Sequence, residues 1–324
     1  MRKKILILGV TGQDGSFAAE YFAKKGDYVH GLVRKSATGN LKNINHLIKK
    51  KNFKIHHGDL LDLFSIEKVI KLLKPHEIYN FADQDHVRWS FEMPIYSYEV
   101  TASSVIKILE TIKNHSPKSK FFQPFSSNMF GISKKNKQNE TDLFKPQSVY
   151  ALGKTSAYYA CQMYKDVFNL KIYGAIFYNH ESERRPPEYV SRKITKAVSR
   201  IFYGKQKILY LGDIQAKVDW GYAKDYVIAA TKIMQLKEPD TFIIGSGKSV
   251  SIEYFAKKCF RYVGLDYKKY VKIDKKLLRP SKTKNLVADT AKARKKFKFK
   301  ITTSIDELIK IMMKNDLILE ESND

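Results

Sequence analysis

Cysteine is nearly missing from this chain: Cys161 and Cys259 are the only two in 324 residues. They are far apart, with no nearby histidine or second cysteine. That excludes a disulfide framework and a cysteine-based metal site, so no metal is expected and both side chains read as buried, reduced thiols. Long apolar runs are also absent. The stretch 5–8 is too short for a signal-peptide core, and nothing approaches the ~20 apolar residues that span a bilayer. A cytoplasmic location and no membrane partner are expected. Internal repeats, low-complexity tracts and disordered linkers are missing too.

Acidic residues are scarce beside basic ones, 33 Asp and Glu against 59 Lys and Arg, for a formal charge of +26. Such an excess invites a nucleic-acid reading. The lysines, however, are spread along the whole length, with short runs at 49–51, 134–135, 275–276 and 294–296. No arginine-rich arm, zinc-finger spacing or aromatic RNA-binding strand accompanies them. Solvated lysine faces that attract anionic phosphates are the reading adopted, with no specific nucleic-acid partner.

What is present is alternation. Apolar runs at 5–8, 28–33, 53–56, 77–81, 120–124 and 170–177 are separated by helical stretches at 16–25, 62–73 and 95–114. This pattern predicts an α/β fold, a doubly wound parallel sheet with helices on both faces. After Asn179 the run Arg184-Arg-Pro-Pro187 breaks the pattern, a basic helix follows, and short strands are predicted at 207–211 and 242–245. The chain divides into a nucleotide-binding domain at 1–180 and a smaller, mainly substrate-facing α/β region at 181–324. The boundary is soft, and a piece of the second region is expected to return to the first.

The turn Gly9-Val-Thr-Gly12-Gln-Asp-Gly15 directly follows the first apolar strand and opens a helix. Glycines so placed let backbone amides cradle a dinucleotide pyrophosphate at a helix N-terminus. At the end of the second strand, Arg34 and Lys35 stand where an NAD site commonly places an acid. They suit a 2′-phosphate, so NADP is favoured and NAD is the alternative. Asp59, after the third strand, either approaches the adenine or caps the next helix.

Ligands of such sheets lie beyond the carboxyl ends of the strands. There the sequence places Phe81-Ala-Asp-Gln-Asp85-His86 and Phe125-Ser126-Ser127-Asn128. Tyr150 and Lys154 are four apart, one above the other on a helix face, so the ammonium can favour the phenolate. Ser126 is the natural third partner, able to hydrogen-bond a sugar hydroxyl or keto oxygen while the tyrosine moves the proton. His86 and His180 read first as hydrogen-bonded structural groups. The aromatic run 158–164 reads as core packing or a helix-pairing surface, and the lysine-rich stretch 292–300 as solvated surface.

Together these residues resemble the extended short-chain dehydrogenase/reductases that remodel nucleotide sugars, and among them the GDP-mannose 4,6-dehydratase family. The likeness rests on Gly9-Val-Thr-Gly-Gln-Asp-Gly-Ser16, His30-Gly-Leu-Val-Arg34, Ile78-Tyr-Asn80, Ser127-Asn-Met-Phe-Gly131, Asn179-His-Glu-Ser182, Arg192-Lys-Ile194, the run from Asp219 to Tyr226, and Arg279-Pro280. It implies a Rossmann-type fold and an NADP site formed by Gly9, Thr11, Gly12, Gln13, Asp14, Gly15, Arg34, Lys35, Asp59, Leu60, Tyr150, Lys154 and His180. It also implies a nucleoside-diphosphate sugar, GDP-linked or alternatively CDP-linked, bound by Asp85, Ser127, Asn179, Arg185, Lys193, Lys217 and Arg279. Catalysis would fall to Ser126, Asn128, Tyr150 and Lys154. A homodimer or homotetramer is expected, with the helices at 95–114 and 148–164 pairing across a two-fold axis.

The resemblance implies oxidation at C4, loss of water across C5 and C6, and reduction at C6. Family members carry a glutamate at the position of Asn128, and an amide cannot take the C5 proton as a carboxylate does. Val218 replaces a family arginine, Lys282 an acid, and Asp85 a small polar residue. Two further readings therefore stand beside the dehydratase. One is an epimerase or 4-oxidoreductase that skips elimination; the other is an inactive sugar-nucleotide-binding module, against which the intact Tyr150 and Lys154 argue.

Overall fold

A computed structural model of the chain describes residues 2–37, 39–278 and 285–322. The apolar runs become strands β1 (Lys4–Leu8), β2 (Tyr28–Val33), β3 (Phe53–His57), β4 (Glu77–Asn80), β5 (Lys120–Ser126), β6 (Ile172–Phe177) and β7 (Thr241–Ile244). They form one seven-stranded sheet in the order β7-β6-β5-β4-β1-β2-β3. Every neighbouring pair in it is parallel. A strand covered on both faces has no polar side to show, which is why these segments read as continuous apolar runs. Within β1, Ile5 and Ile7 enter one core and Leu6 and Leu8 the other.

Helices α1 (Gln13–Lys25), α2 (Leu63–Leu73), α3 (Ser104–His115), α4 (Val149–Phe168), α5 (Val190–Phe202), α6 (Ala223–Ile233), α7 (Ile252–Tyr262) and α8 (Ile305–Glu321) supply the covering layers. Phe17 and Phe22 of α1 and Tyr226 of α6 pack on one face of the sheet. Residues of α2, α3 and α4, among them Ile66, Ile108 and Cys161, pack on the other. A third apolar cluster joins α5, α7 and α8 around Ile194, Phe255 and Met312. Both thiols are buried. No described helix is long and apolar enough to cross a membrane.

The single helix predicted at 95–114 is three pieces: Pro94–Tyr98, a π-helical turn at Glu99–Ser103, and α3. Gly153 of α4 explains the close packing here, because a methyl group on it would meet the Thr101 side chain at 3.1 Å. The wide turn also swings the Thr101 hydroxyl toward the carboxyl end of β4, where it donates to Asp83 at 2.7 Å. The stretch 292–300 is less exposed than its lysines suggest, since Ala293 and Phe299 are buried.

On β2 and β3, His30 Nδ1 and His56 Nε2 lie 2.9 Å apart and share one proton. Burial first, then the charges of His56, Lys54 and Lys4, lowers the His30 pKa to about 4. An unfolded histidine titrates near 6.5, so between pH 6.5 and 4 the unfolded chain binds a proton that the folded chain refuses. Stability from this pair is complete above that window and falls as the pH is lowered through it. Melting curves are expected to drop by about 2 °C or more on this account, and His30→Gln to flatten the fall.

Candidate active site

The strand order reverses between β1 and β4, and the crevice at their carboxyl ends is where ligands of such sheets bind. Gly9 leaves β1 with φ +74°, and a Cβ on it would stand 2.5 Å from the Ala82 backbone nitrogen. A Cβ on Gly15 would come within 2.2 Å of the Gly9 carbonyl oxygen. At Gly9 and Gly15 the turn is thus closed tightly enough to admit only glycine. Gly12 caps α1 without a side-chain partner for the first helical amides, so those amides remain for an anion. The residues present fit a dinucleotide pyrophosphate.

Other residues predicted for the cofactor divide into two groups. Arg34 and Lys35 stand exposed beyond β2, with Arg34 donating to the Tyr96 hydroxyl at 3.3 Å. Thr11 is half-buried, and its carbonyl accepts from Asn43. Asp59 accepts from the Leu61 amide at 2.9 Å, an Asx turn that leads into α2, while Leu60 is buried in the core. Asp14 and His180 turn to one another, with His180 Nε2 2.8 Å from Asp14 and Nδ1 2.9 Å from the Tyr178 carbonyl. Both partners accept, so both ring nitrogens carry protons. Burial alone would lower the His180 pKa, but Asp14 and the Tyr178 carbonyl outweigh it and raise it.

The same seam holds two more ties. Ser182 donates to Gln13 Oε1 at 2.7 Å, and Arg184 reaches Ser16 at 2.9 Å and forms an ion pair with Glu20. The Arg184 guanidinium lies 4.0 Å over the Phe17 ring. These contacts join the first turns of α1 to the segment following β6.

Tyr150 stands in the first turn of α4, whose start is fixed by Ser148 accepting from the Ala151 amide at 3.1 Å. Ser126 ends β5 and caps the short 3₁₀ turn Ser127–Phe130. Its Oγ accepts from both the backbone and side-chain nitrogens of Asn128, each at 3.2 Å. With those lone pairs used, the Ser126 hydroxyl lies near enough to the Tyr150 phenol to lower that group's pKa. Asn128 therefore orients Ser126, and Ser127 is buried behind it.

Lys154 lies one turn after Tyr150, its ammonium 5.9 Å from the phenol ring centre. It donates to the Pro124 carbonyl at 2.8 Å and pairs with Asp83 at 2.7 Å. The ammonium thus stands beside the phenol and is also paired with a carboxylate. Burial pushes the Tyr150 pKa up to about 12; Lys154 and Ser126 pull it down, but Asp83 and Asp85 push it up again. Burial likewise would lower the Lys154 pKa, yet the neighbouring Asp83 and Tyr150 hold it above its ordinary value.

Around this core the sugar-facing residues assemble in part. Asp85 accepts from Tyr189 at 2.5 Å and from Arg185 at 3.2 Å. Burial would raise its pKa, but Arg185 and Tyr189 win and lower it. The Arg185 guanidinium stacks 3.5 Å over the Tyr189 ring and also pairs with buried Glu181. The His86 ring packs between Trp89 and Tyr189. Further out, Lys193 lines a cavity of about 380 Å³ with Lys196, Arg200, Ile208 and Tyr210. Asn179 and Lys217 are exposed on short strands, Asn179–Glu181 and Lys217–Val218. Arg279 and Lys282 lie outside the described residues. Among the described residues no group of three or more His, Cys, Asp or Glu could hold a metal ion.

Sequence reasoning missed Asp83, Thr101 and Tyr189. For the cavity it missed Lys196 and Arg200, although their spacing from Lys193, three and seven, puts all three on one helix face.

A Rossmann-type parallel sheet with serine, tyrosine and lysine gathered at its carboxyl edge defines the short-chain dehydrogenase/reductase class. A family model described as GDP-mannose 4,6 dehydratase matches residues 6–312. The chain belongs to that family. It is 39% identical over 328 residues to GDP-mannose 4,6 dehydratase 1 of Arabidopsis thaliana, an alignment covering 98% of this chain and 91% of the relative. Two solved structures share the fold at 20% identity, each with a TM-score of 0.85. One is a UDP-glucose 4-epimerase from Thermotoga maritima with UDP-glucose, matched over 98% of this chain and 99% of that one. The other is a dTDP-glucose 4,6-dehydratase from Bacillus anthracis with NAD, covered to 98% in both chains.

Proposed function

We propose that the protein is an NADP-dependent 4,6-dehydratase acting on a nucleoside-diphosphate hexose, GDP-linked by preference, in the cytoplasm. The observation that carries this reading is the buried Ser126, Tyr150 and Lys154 set facing the glycine turn across the switch point. The division into a nucleotide-binding lobe at 1–180 and a mainly substrate-binding region at 181–324 follows from it. Arg34 and Lys35 favour the 2′-phosphate. Lys193, Lys196 and Arg200 supply the positive wall that a diphosphate requires. Leu152, Tyr159 and Met163, exposed on α4 beside Ile106 of α3, offer a face to a second copy.

The nicotinamide, when bound, accepts and returns hydride. Tyr150 removes the proton from the C4 hydroxyl, and Ser126 donates to the oxygen that becomes the ketone. Lys154, paired with Asp83, lies beside the phenol. The C5 proton has no carboxylate at position 128 to receive it. Asp85 is bonded to Tyr189 and Arg185, and Glu181 to Ser191 and Arg185. Asn128 is thus the observation that favours a second reading, an epimerase or 4-oxidoreductase on the same trio.

Incubation with GDP-, CDP-, UDP- and dTDP-hexoses in deuterated water, read by mass spectrometry, separates the two. Loss of one water with deuterium gained is the expected result. An unchanged mass apart from exchange, or loss of two hydrogens, replaces dehydration with epimerisation or oxidation.

A further inference from the structure

We propose that Asp83 is a positioning residue for proton transfer: it clamps Lys154 and cancels its charge, so that Tyr150 rests as the neutral phenol. The inference rests on the reading that Tyr150 moves a substrate proton. Its basis is the geometry at the end of β4. One Asp83 oxygen accepts from Thr101 Oγ at 2.7 Å and from the Gln84 amide at 2.8 Å; the other meets the Lys154 ammonium at 2.7 Å. Both side chains of the pair are nearly removed from solvent, at 11% and 6% exposure.

A lone ammonium beside a phenol stabilises the phenolate, whereas an ammonium already paired at contact distance presents little net charge. The remaining groups facing the phenol do not restore it. Asp85 adds negative charge, Tyr189 is neutral and bonded to Asp85, and Arg185 is spent on Asp85 and Glu181. Ser126 lowers the phenol pKa by less than Asp83 or Asp85 raises it. The π-helical turn that delivers Thr101 is part of the device, because it fixes the carboxylate that fixes the lysine.

The test is a titration that needs no substrate. Protein labelled with ¹³C at tyrosine Cζ is titrated by NMR, with the Tyr150 resonance assigned by its disappearance in Tyr150→Phe. In Asp83→Asn the Tyr150 midpoint is expected about one pH unit or more below the wild-type value. An unchanged midpoint in a folded Asp83→Asn protein overturns the proposal. If that variant does not fold, Asp83→Ser carries the same expectation and the same refutation. The pH profile of kcat/KM with the sugar nucleotide that is turned over supplies the second readout. Its acid limb is expected to move down with the midpoint in Asp83→Asn, whereas a purely structural role lowers the plateau and leaves the limb in place. Should no sugar nucleotide react, the proposed function fails while the NMR titration still decides the role of Asp83.

Discussion

Tyr150→Phe is expected to lower kcat on the order of 10³-fold while leaving cofactor affinity within about twofold of wild type. The substitution removes one oxygen and retains the ring, so the packing of the first turn of α4 survives. What disappears is the phenol proposed to exchange a proton with a C4 hydroxyl, which lies beside the Ser126 hydroxyl. Neither Ser126 nor Asn128 can stand in, since neither has a basic form near neutral pH. Single-turnover absorbance of the reduced nicotinamide, compared with fluorescence titration of its binding, checks both halves of the expectation. A variant that kept a tenth or more of its activity would remove Tyr150 from the chemistry.

Gly9→Ala is expected to disrupt the cofactor crevice through a single added methyl group. At φ +74° any Cβ is strained, and here it would also lie 2.5–2.7 Å from three backbone atoms of Phe81 and Ala82. No side chain can rotate aside, so the ends of β1 and β4 must separate. That movement displaces the glycine turn on one side and the segment carrying Asp83 and Asp85 on the other. A loss of about 2–4 kcal/mol in stability is expected, seen as a lower denaturation midpoint, with dinucleotide affinity down by roughly 100-fold. Calorimetry of the folded variant with NADPH tests the second figure, and an affinity within a few fold of wild type would mean that the turn does not bind the dinucleotide.

The sheet was legible because its strands are covered twice. Burial on both faces writes itself into the sequence as runs such as Ile5 to Leu8, and the helices between them follow from amphipathic spacing. Tyr150, Lys154 and Ser126 were legible because a helix spacing and a strand end locate them. The π turn within 95–114 was not, since the extra residue leaves no mark in an apolar pattern. Nor was the partner of Lys154. Asp83 and Asp85 stand two apart at the same strand end, and only the path of the loop decides which carboxylate points inward and which joins Tyr189. Asp14 and His180, 166 positions apart, each read as a cofactor contact, and nothing local reveals that they meet each other.

The seam that joins α1 to the segment after β6 sets how this molecule can breathe. The His180 to Asp14 pair, the Ser182 to Gln13 bond and the Arg184 bridge to Ser16 and Glu20 span it side by side. Pulling it apart would strip partners from a partly buried imidazolium and a partly buried guanidinium at once, which is costly. The seam is therefore a costly place to part α1 from the segment after β6.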